Sequence, residues 1–283
     1  MQSGKPLSTK IDATVPTAAR MYDHYLGGKD NYAADRAACE ELDKVVPSTR
    51  ALALNNRRFL QRVVRTLTQE FGIRQFLDHG SGLPTQNNVH QVAQSIDPTA
   101  HVVYVDNDPM VLVHGRALLE QDERTTVIHA DLRETEAIFT HPDTERLIDF
   151  SQPAAVLFNS VFHCIPDSET DGPQAVVRRV TERLAPGSVL VMCQLVSEDP
   201  KVREFVTDFM DQATQGTGAG CARRRTWPGC STGWRSSNRA WWRSPPGAPT
   251  PRWRPVSSPR SGSSSAERDA SARPVPGGYR PSS

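Results

Sequence analysis

The 283-residue sequence predicts an α/β fold: a mostly parallel sheet flanked by helices, with an N-terminal helical cap and a disordered C-terminal tail. Three observations predict it. From Ile73 onward, short continuous apolar runs alternate with amphipathic helical stretches, the pattern of parallel strands covered on both faces. Ahead of them, residues 17–72 read as helix alone. Behind them, the composition changes abruptly near residue 216.

Residues 1–16 are polar, with Pro6 and Pro16, and read as a mobile arm. Residues 17–72 form the expected cap or lid. Leu52, Phe59, Val63, Val64 and Leu67 recur there at helical spacing, Arg57, Arg58, Arg62 and Arg65 fill the other face, and Gly72 ends the helix. Residues 73–215 carry the sheet. Strands are expected at Arg74–Leu77, His101–Val105, Thr126–His129, Ala154–Phe158 and Val189–Cys193. Between them lie helices at Thr85–Ser95, after Asp108-Pro109 (an N-cap followed by proline at the first helical position) and at Pro173–Leu184. A last helix starts at Lys201 and runs to Gln215.

The net charge of +1, from 33 basic and 32 acidic side chains, averages two unlike parts. Residues 216–283 hold 12 Arg and 2 acidic residues, a charge of +10, with all 5 Trp and no Leu, Ile, Phe, Met or Lys. So few aliphatic side chains cannot offset the chain entropy of folding. The preceding 215 residues carry −9, from 21 basic and 30 acidic side chains, and lack the basic excess expected of a nucleic-acid enzyme. No apolar run approaches a membrane span, and the first twenty residues show no leader pattern. The five cysteines form no CxxC pair and no zinc-like spacing, so no metal is expected; Cys164 and Cys193 sit in apolar runs as buried thiols, and a reducing cytoplasm is the expected location.

The chemistry concentrates where the first strand ends. Phe76-Leu77-Asp78-His79-Gly80-Ser81-Gly82 runs a strand into a glycine turn ahead of a helix, which lets backbone approach a ligand closely. Thr85 stands where the dinucleotide fingerprint has its third glycine, and alone the motif fits a tight strand–helix turn as well. Asp106, at the end of the second strand and beside Asn107, is placed to accept from vicinal ribose hydroxyls, while Asp108 caps the next helix. Asp131 follows the third strand, where an acid can accept from an adenine amino group as Leu132 packs on the ring. Three acids at the carboxyl ends of successive strands mark the ligand edge of an open α/β sheet.

Asp78–Gly82, Asp106 and Ala130–Leu132 resemble the cofactor motifs of class I S-adenosylmethionine-dependent methyltransferases, which have a Rossmann-like fold. More specifically, the chain resembles a bacterial S-adenosyl methyltransferase family. The match rests on Ala19–Tyr32 (ARMYDHYLGGKDNY), Asn56–Leu60, Gly80–Thr85, Tyr104–Pro109, Ala130–Arg133, Phe162–Asp167 and Leu184–Ser188. It runs from about Thr17 to Gln212, with His79 and Cys164 where other residues are expected. The resemblance implies S-adenosyl-L-methionine as cofactor, held by Asp78, Gly80, Ser81, Gly82, Asp106, Asn107, Asp131, Leu132 and Asn159. In the Tyr22–Tyr32 run, Gly27-Gly28 breaks a helix, and Tyr22 and Asp23 supply the aromatic face and carboxylate that a sulfonium favours.

Methyl transfer is a direct displacement that needs alignment and desolvation more than covalent chemistry. The fourth strand ends in Asn159-Ser160-Val161-Phe162-His163, and His163 is the candidate general base and catalytic residue, for acceptors that must lose a proton. The acceptor is expected to be a small molecule. A cofactor-binding regulator without catalysis and a nicotinamide-dependent oxidoreductase remain as alternatives, the latter disfavoured by Thr85 and Asp131. Arg223-Arg224-Arg225 with the neighbouring tryptophans superficially suggests single-strand nucleic-acid binding. The joint rise of Arg, Pro, Gly, Ser and Trp instead fits a shift of reading frame near Gln212–Gly220 in a GC-rich gene, leaving an inactive or truncated enzyme as a further alternative.

Overall fold

A computed structural model describes residues 10–118 and 123–214. The predicted tail 216–283, and residues 1–9 of the predicted arm, lie outside the described residues. Among the described residues the chain runs α1 (Ala18–Leu26), α2 (Ala33–Val45), α3 (Thr49–Phe71), β1 (Gln75–His79), α4 (Val89–Gln94), β2 (His101–Asp106), α5 (Pro109–Leu118) and β3 (Thr125–His129). It continues through α6 (Thr135–Phe139), α7 (Pro142–Leu147), β4 (Ala155–Asn159), a 3-10 turn at Phe162–Cys164, α8 (Pro173–Arg183), β5 (Val189–Cys193) and α9 (Pro200–Ala213).

The strands form one sheet in the order β3-β2-β1-β4-β5, every neighbouring pair parallel. The apolar runs become strands because both faces are covered. On one face Phe76, Val102, Tyr104, Leu157 and Val191 pack with α3 (Phe59, Val63, Val64, Leu67) and α4 (Val89, Val92). On the other, Leu77, Val103, Val156, Phe158 and Leu190 pack with Ile138 and Phe139 of α6, Leu147 of α7, and Val176 and Val180 of α8. Each such buried side chain contributes roughly 1.5–3 kcal/mol relative to exposure.

Several boundaries differ from the sequence reading, each for a physical reason. β1, β2 and β4 extend through Asp78-His79, Asp106 and Asn159, because backbone pairing continues past the last apolar residue. α4 begins at Val89 instead of Thr85; Asn88 accepts from the Thr85 N–H and starts the helix after a loop in which Asn87 has φ 58°. α6 and α7, of five and six residues, are too short for periodicity to reveal. Leu52, expected on the apolar face of α3, is 44% exposed. The C-terminal part of α3 is a layer of the sandwich more than part of a cap.

α1, α2, the start of α3 and α9 form a separate apolar cluster through Met21, Tyr25, Cys39, Leu42, Ala53, Val206 and Met210. A buried ion pair anchors it: Arg20 Nε bonds both Asp35 oxygens, at 2.9 and 3.1 Å. Asp35 also accepts from the Thr17 and Tyr32 backbone N–H groups, and the Arg20 guanidinium donates to the Asp12 and Val15 carbonyls. Residues 12–15 of the predicted arm are thus tied to α1. Removing one partner of such a pair typically costs about 3–5 kcal/mol.

Candidate functional site

The glycine turn leaves β1 and is shaped by its neighbours. Gly80 has φ 68°, and a Cβ there would stand 2.3 Å from Val161 Cγ2, so only glycine fits between the turn and the loop after β4. The Gly80 and Ser81 N–H groups donate to the Val105 carbonyl. Asp106 holds the other side: Oδ2 accepts from the Gly82 N–H at 2.8 Å and Oδ1 from the Asp108 N–H at 2.9 Å. Asp108 caps α5 through the Met110 N–H, as predicted, and accepts from the Thr17 hydroxyl.

Asp78 and Asp106 lie close enough to repel each other, and both are buried. Burial raises the Asp78 pKa to about 7, opposed by the charge of Arg57 and reinforced by Asp106. Burial likewise raises Asp106 to about 6, opposed by the N–H groups it accepts. Next to them, His79 is fully buried and stacks on Phe158 at 4.7 Å, and burial lowers its pKa to about 3, keeping the ring neutral.

β4 ends at Asn159, and Ser160 follows with φ 62°, a left-handed conformation uncommon outside glycine, its N–H donating to the Cys193 carbonyl. This bend directs the chain into the 3-10 turn that carries His163. The His163 Nδ1 accepts from the Leu195 N–H at 3.3 Å, so in the neutral ring the proton sits on Nε2. Burial lowers its pKa to about 4. Cys164 and Cys193, beside it, are held as thiols by burial, their pKa values raised to about 12 and about 11.

The adenine-side candidates are more occupied than the sequence suggested. Asp131 follows β3, and Arg133 bonds both its oxygens, the shortest contact being 2.6 Å from Nη2. Burial acts to raise the Asp131 pKa, but those hydrogen bonds outweigh it and hold the carboxyl below its ordinary value. Leu132 is buried in the α6–α8 face of the core, and the side chain of Asn107 is exposed.

In the cap, Asp23 is 2% exposed and turns into its own loop, accepting from the Asp30 N–H and the Asn31 amide through Oδ2. Gly28 is required there, since a Cβ would fall 1.8 Å from Asp23 Oδ1. The Tyr22 hydroxyl joins α1 to α3, accepting from the Asn56 amide at 2.9 Å and donating to the Ala53 carbonyl at 3.2 Å. Burial raises its pKa, with smaller effects from Asn56, the Arg57 charge and Cys193.

Several buried polar atoms at this end have no partner among the described residues: Asn56 Oδ1, Arg57 Nε, Ser81 Oγ, Thr85 Oγ1, Asn159 Oδ1 and Gln194 Oε1. Buried polar groups are nearly always paired, so this clustering suits a polar ligand that completes them. Ser81 and Asn159 are among the residues the sequence proposes for the cofactor. Nothing in the sequence singles out Asn56, Arg57 or Gln194 for the site: Arg57 reads as one of four arginines on a polar helix face, and only the packing of α3 on the sheet sets it apart.

Comparisons with known proteins show the family of the chain. Residues 4–225 match a family model described as S-adenosyl methyltransferase. A methyltransferase candidate of known structure from Thermobifida fusca YX is 47% identical, over 75% of this chain and 77% of that one, with a TM-score of 0.69. A DUF574 family protein from Streptomyces avermitilis MA-4680 is 34% identical, over 75% of this chain and 81% of that one, with a TM-score of 0.70. No protein of curated function matches.

Proposed function

Because the chain belongs to the S-adenosyl methyltransferase family, with its Rossmann-like class I fold, we propose that it moves the methyl group of S-adenosyl-L-methionine to a small-molecule acceptor. The observation that carries this reading is the group of unpartnered buried polar atoms around the glycine turn and the ends of β4 and β5. The residues present fit the cofactor. Ser81 and Asn159 offer buried polar atoms, the Gly80–Gly82 turn gives close backbone approach, and Asp78 offers a buried carboxyl. Asp106 retains lone pairs for ribose hydroxyls, and Asp131 and Leu132 border the adenine side. In this reading Tyr22, tied to α3 through its hydroxyl, supplies the aromatic face, while Asp23 holds the Gly27–Asn31 turn in shape.

The bound cofactor supplies an electrophilic methyl group on a cationic sulfur. This chain's residues supply alignment and dryness. His163 stands on the acceptor side. With Nδ1 engaged by Leu195, it serves as a donor through Nε2 that orients the acceptor; acting as a general base through Nδ1 would break that bond. The −9 charge of residues 1–215 argues against an RNA acceptor. Among the described residues no helix is long and apolar enough to cross a membrane.

Incubation with methyl-labelled S-adenosylmethionine and a fractionated bacterial extract tests the reading. Label is expected in the low-molecular-mass fraction; label in protein or RNA would overturn the small-molecule assignment. In the same assay His163→Ala is expected to lower transfer by about tenfold or more, the scale of one lost orienting hydrogen bond to the reacting group. Its affinity for S-adenosylhomocysteine should stay within about twofold of the parent. At saturating cofactor, wild-type transfer should be flat from about pH 6 to 8, because the ring stays neutral down to about pH 4. A rise centred near pH 6.5, the ordinary imidazole value, would contradict that role.

A further inference from the structure

Arg57 is a half-buried cation at the ligand end of the sheet. Its Nη2 donates to Asn88 Oδ1 at 2.7 Å and to the Gln86 carbonyl at 3.3 Å, which fixes the guanidinium against the loop after the glycine turn. Its Nε is buried without a partner. Among the described residues no carboxylate forms an ion pair with it. Its charge acts on the side chains of Asp78, Tyr104 and Tyr22. Ser81 Oγ and Thr85 Oγ1, both buried and without partners, belong to the same loop.

A cation with a buried, unpartnered Nε–H, two buried hydroxyls on the loop it braces and no counter-ion among the described residues suits a carboxylate ligand. The amino-acid end of the cofactor carries one carboxylate and one ammonium group. We propose that Arg57 binds that carboxylate, with Ser81 and Thr85 as supporting donors and Asp78 facing the ammonium. This assignment rests on the cofactor reading above and names a residue for one of its charged ends. The competing role for Arg57 is to brace the Gln86–Asn88 loop through the two bonds it already makes.

Binding of S-adenosylmethionine and of decarboxylated S-adenosylmethionine, measured by calorimetry on the full chain and on Arg57→Met and Arg57→Lys, separates the two. For Arg57→Met the affinity for S-adenosylmethionine should fall about 10- to 100-fold, the range for a lost hydrogen-bonded charge pair. Affinity for the decarboxylated compound should change less than about twofold, which also shows that the variant is folded. Arg57→Lys should fall between, keeping the charge and losing the Nε–H donor of the fixed guanidinium. Equal losses for both compounds, or no loss for either, would overturn the assignment, as would equal wild-type affinity for the two compounds. Failure of the wild-type chain to bind S-adenosylmethionine at all would instead strike the cofactor reading.

Discussion

Asp78→Asn is expected to make the ligand-free protein more stable near pH 8 while removing most of its affinity for S-adenosylmethionine. The folded protein raises the Asp78 pKa to about 7, against an ordinary value of 3.8. Below about pH 3.8 both folded and unfolded chains hold the proton, and the site costs nothing by ionisation. As pH rises from there to about 7, the unfolded chain ionises while the folded chain retains its proton, and stability falls. Above pH 7 the full cost remains, on the order of a few kcal/mol for a shift of this size. Asparagine has no such titration, so the gain should be absent near pH 4 and greatest near pH 8. Urea denaturation at the two pH values measures it. Equal effects at both would show that Asp78 is not held protonated in the fold. Retained affinity in the variant would remove Asp78 from the cofactor site.

The second large effect is expected at Gly80. With φ at 68° and Val161 Cγ2 2.3 Å from where a Cβ would stand, Gly80→Ala meets two separate costs. The left-handed backbone conformation costs a non-glycine residue about 1–2 kcal/mol, and forcing a methyl group into packed space adds about 1–3 kcal/mol. A total loss of roughly 2–5 kcal/mol is expected from denaturation curves, with weakened cofactor binding because the Gly82 N–H is displaced from Asp106. Adding Val161→Ala should recover the packing part and leave the backbone part. A loss below about 0.5 kcal/mol, the range of an ordinary surface change, would mean that the turn relaxes freely.

The sheet was legible in the sequence because parallel strands buried on both faces leave uninterrupted apolar runs. Val189–Cys193 matches β5 residue for residue for that reason. The polar ends of β1, β2 and β4 are harder to read: Asp78-His79, Asp106 and Asn159 pair as strand past the last apolar residue of each run. The glycine turn and its acids were legible from spacing alone, since a strand, a D-x-G-x-G and an acid 24 residues beyond Gly82 carry their own geometry. What stayed hidden depends on tertiary contact. Asp23 reads as a free carboxylate until Gly28 is seen to close over it. That Leu132 also packs into the α6–α8 face of the core shows only in the fold. Arg57 is indistinguishable from Arg58, Arg62 and Arg65 until α3 is laid on the sheet.

Titration calorimetry of S-adenosylhomocysteine into the full 283-residue protein tests the cofactor site most directly. One saturable site per chain is the predicted result. Binding near pH 6 should release a proton as Asp78 ionises against the ammonium group, seen as a dependence of the heat on buffer ionisation enthalpy and absent in Asp78→Asn. Heats of dilution alone, with no saturation, would contradict the assignment of this sheet edge to the cofactor.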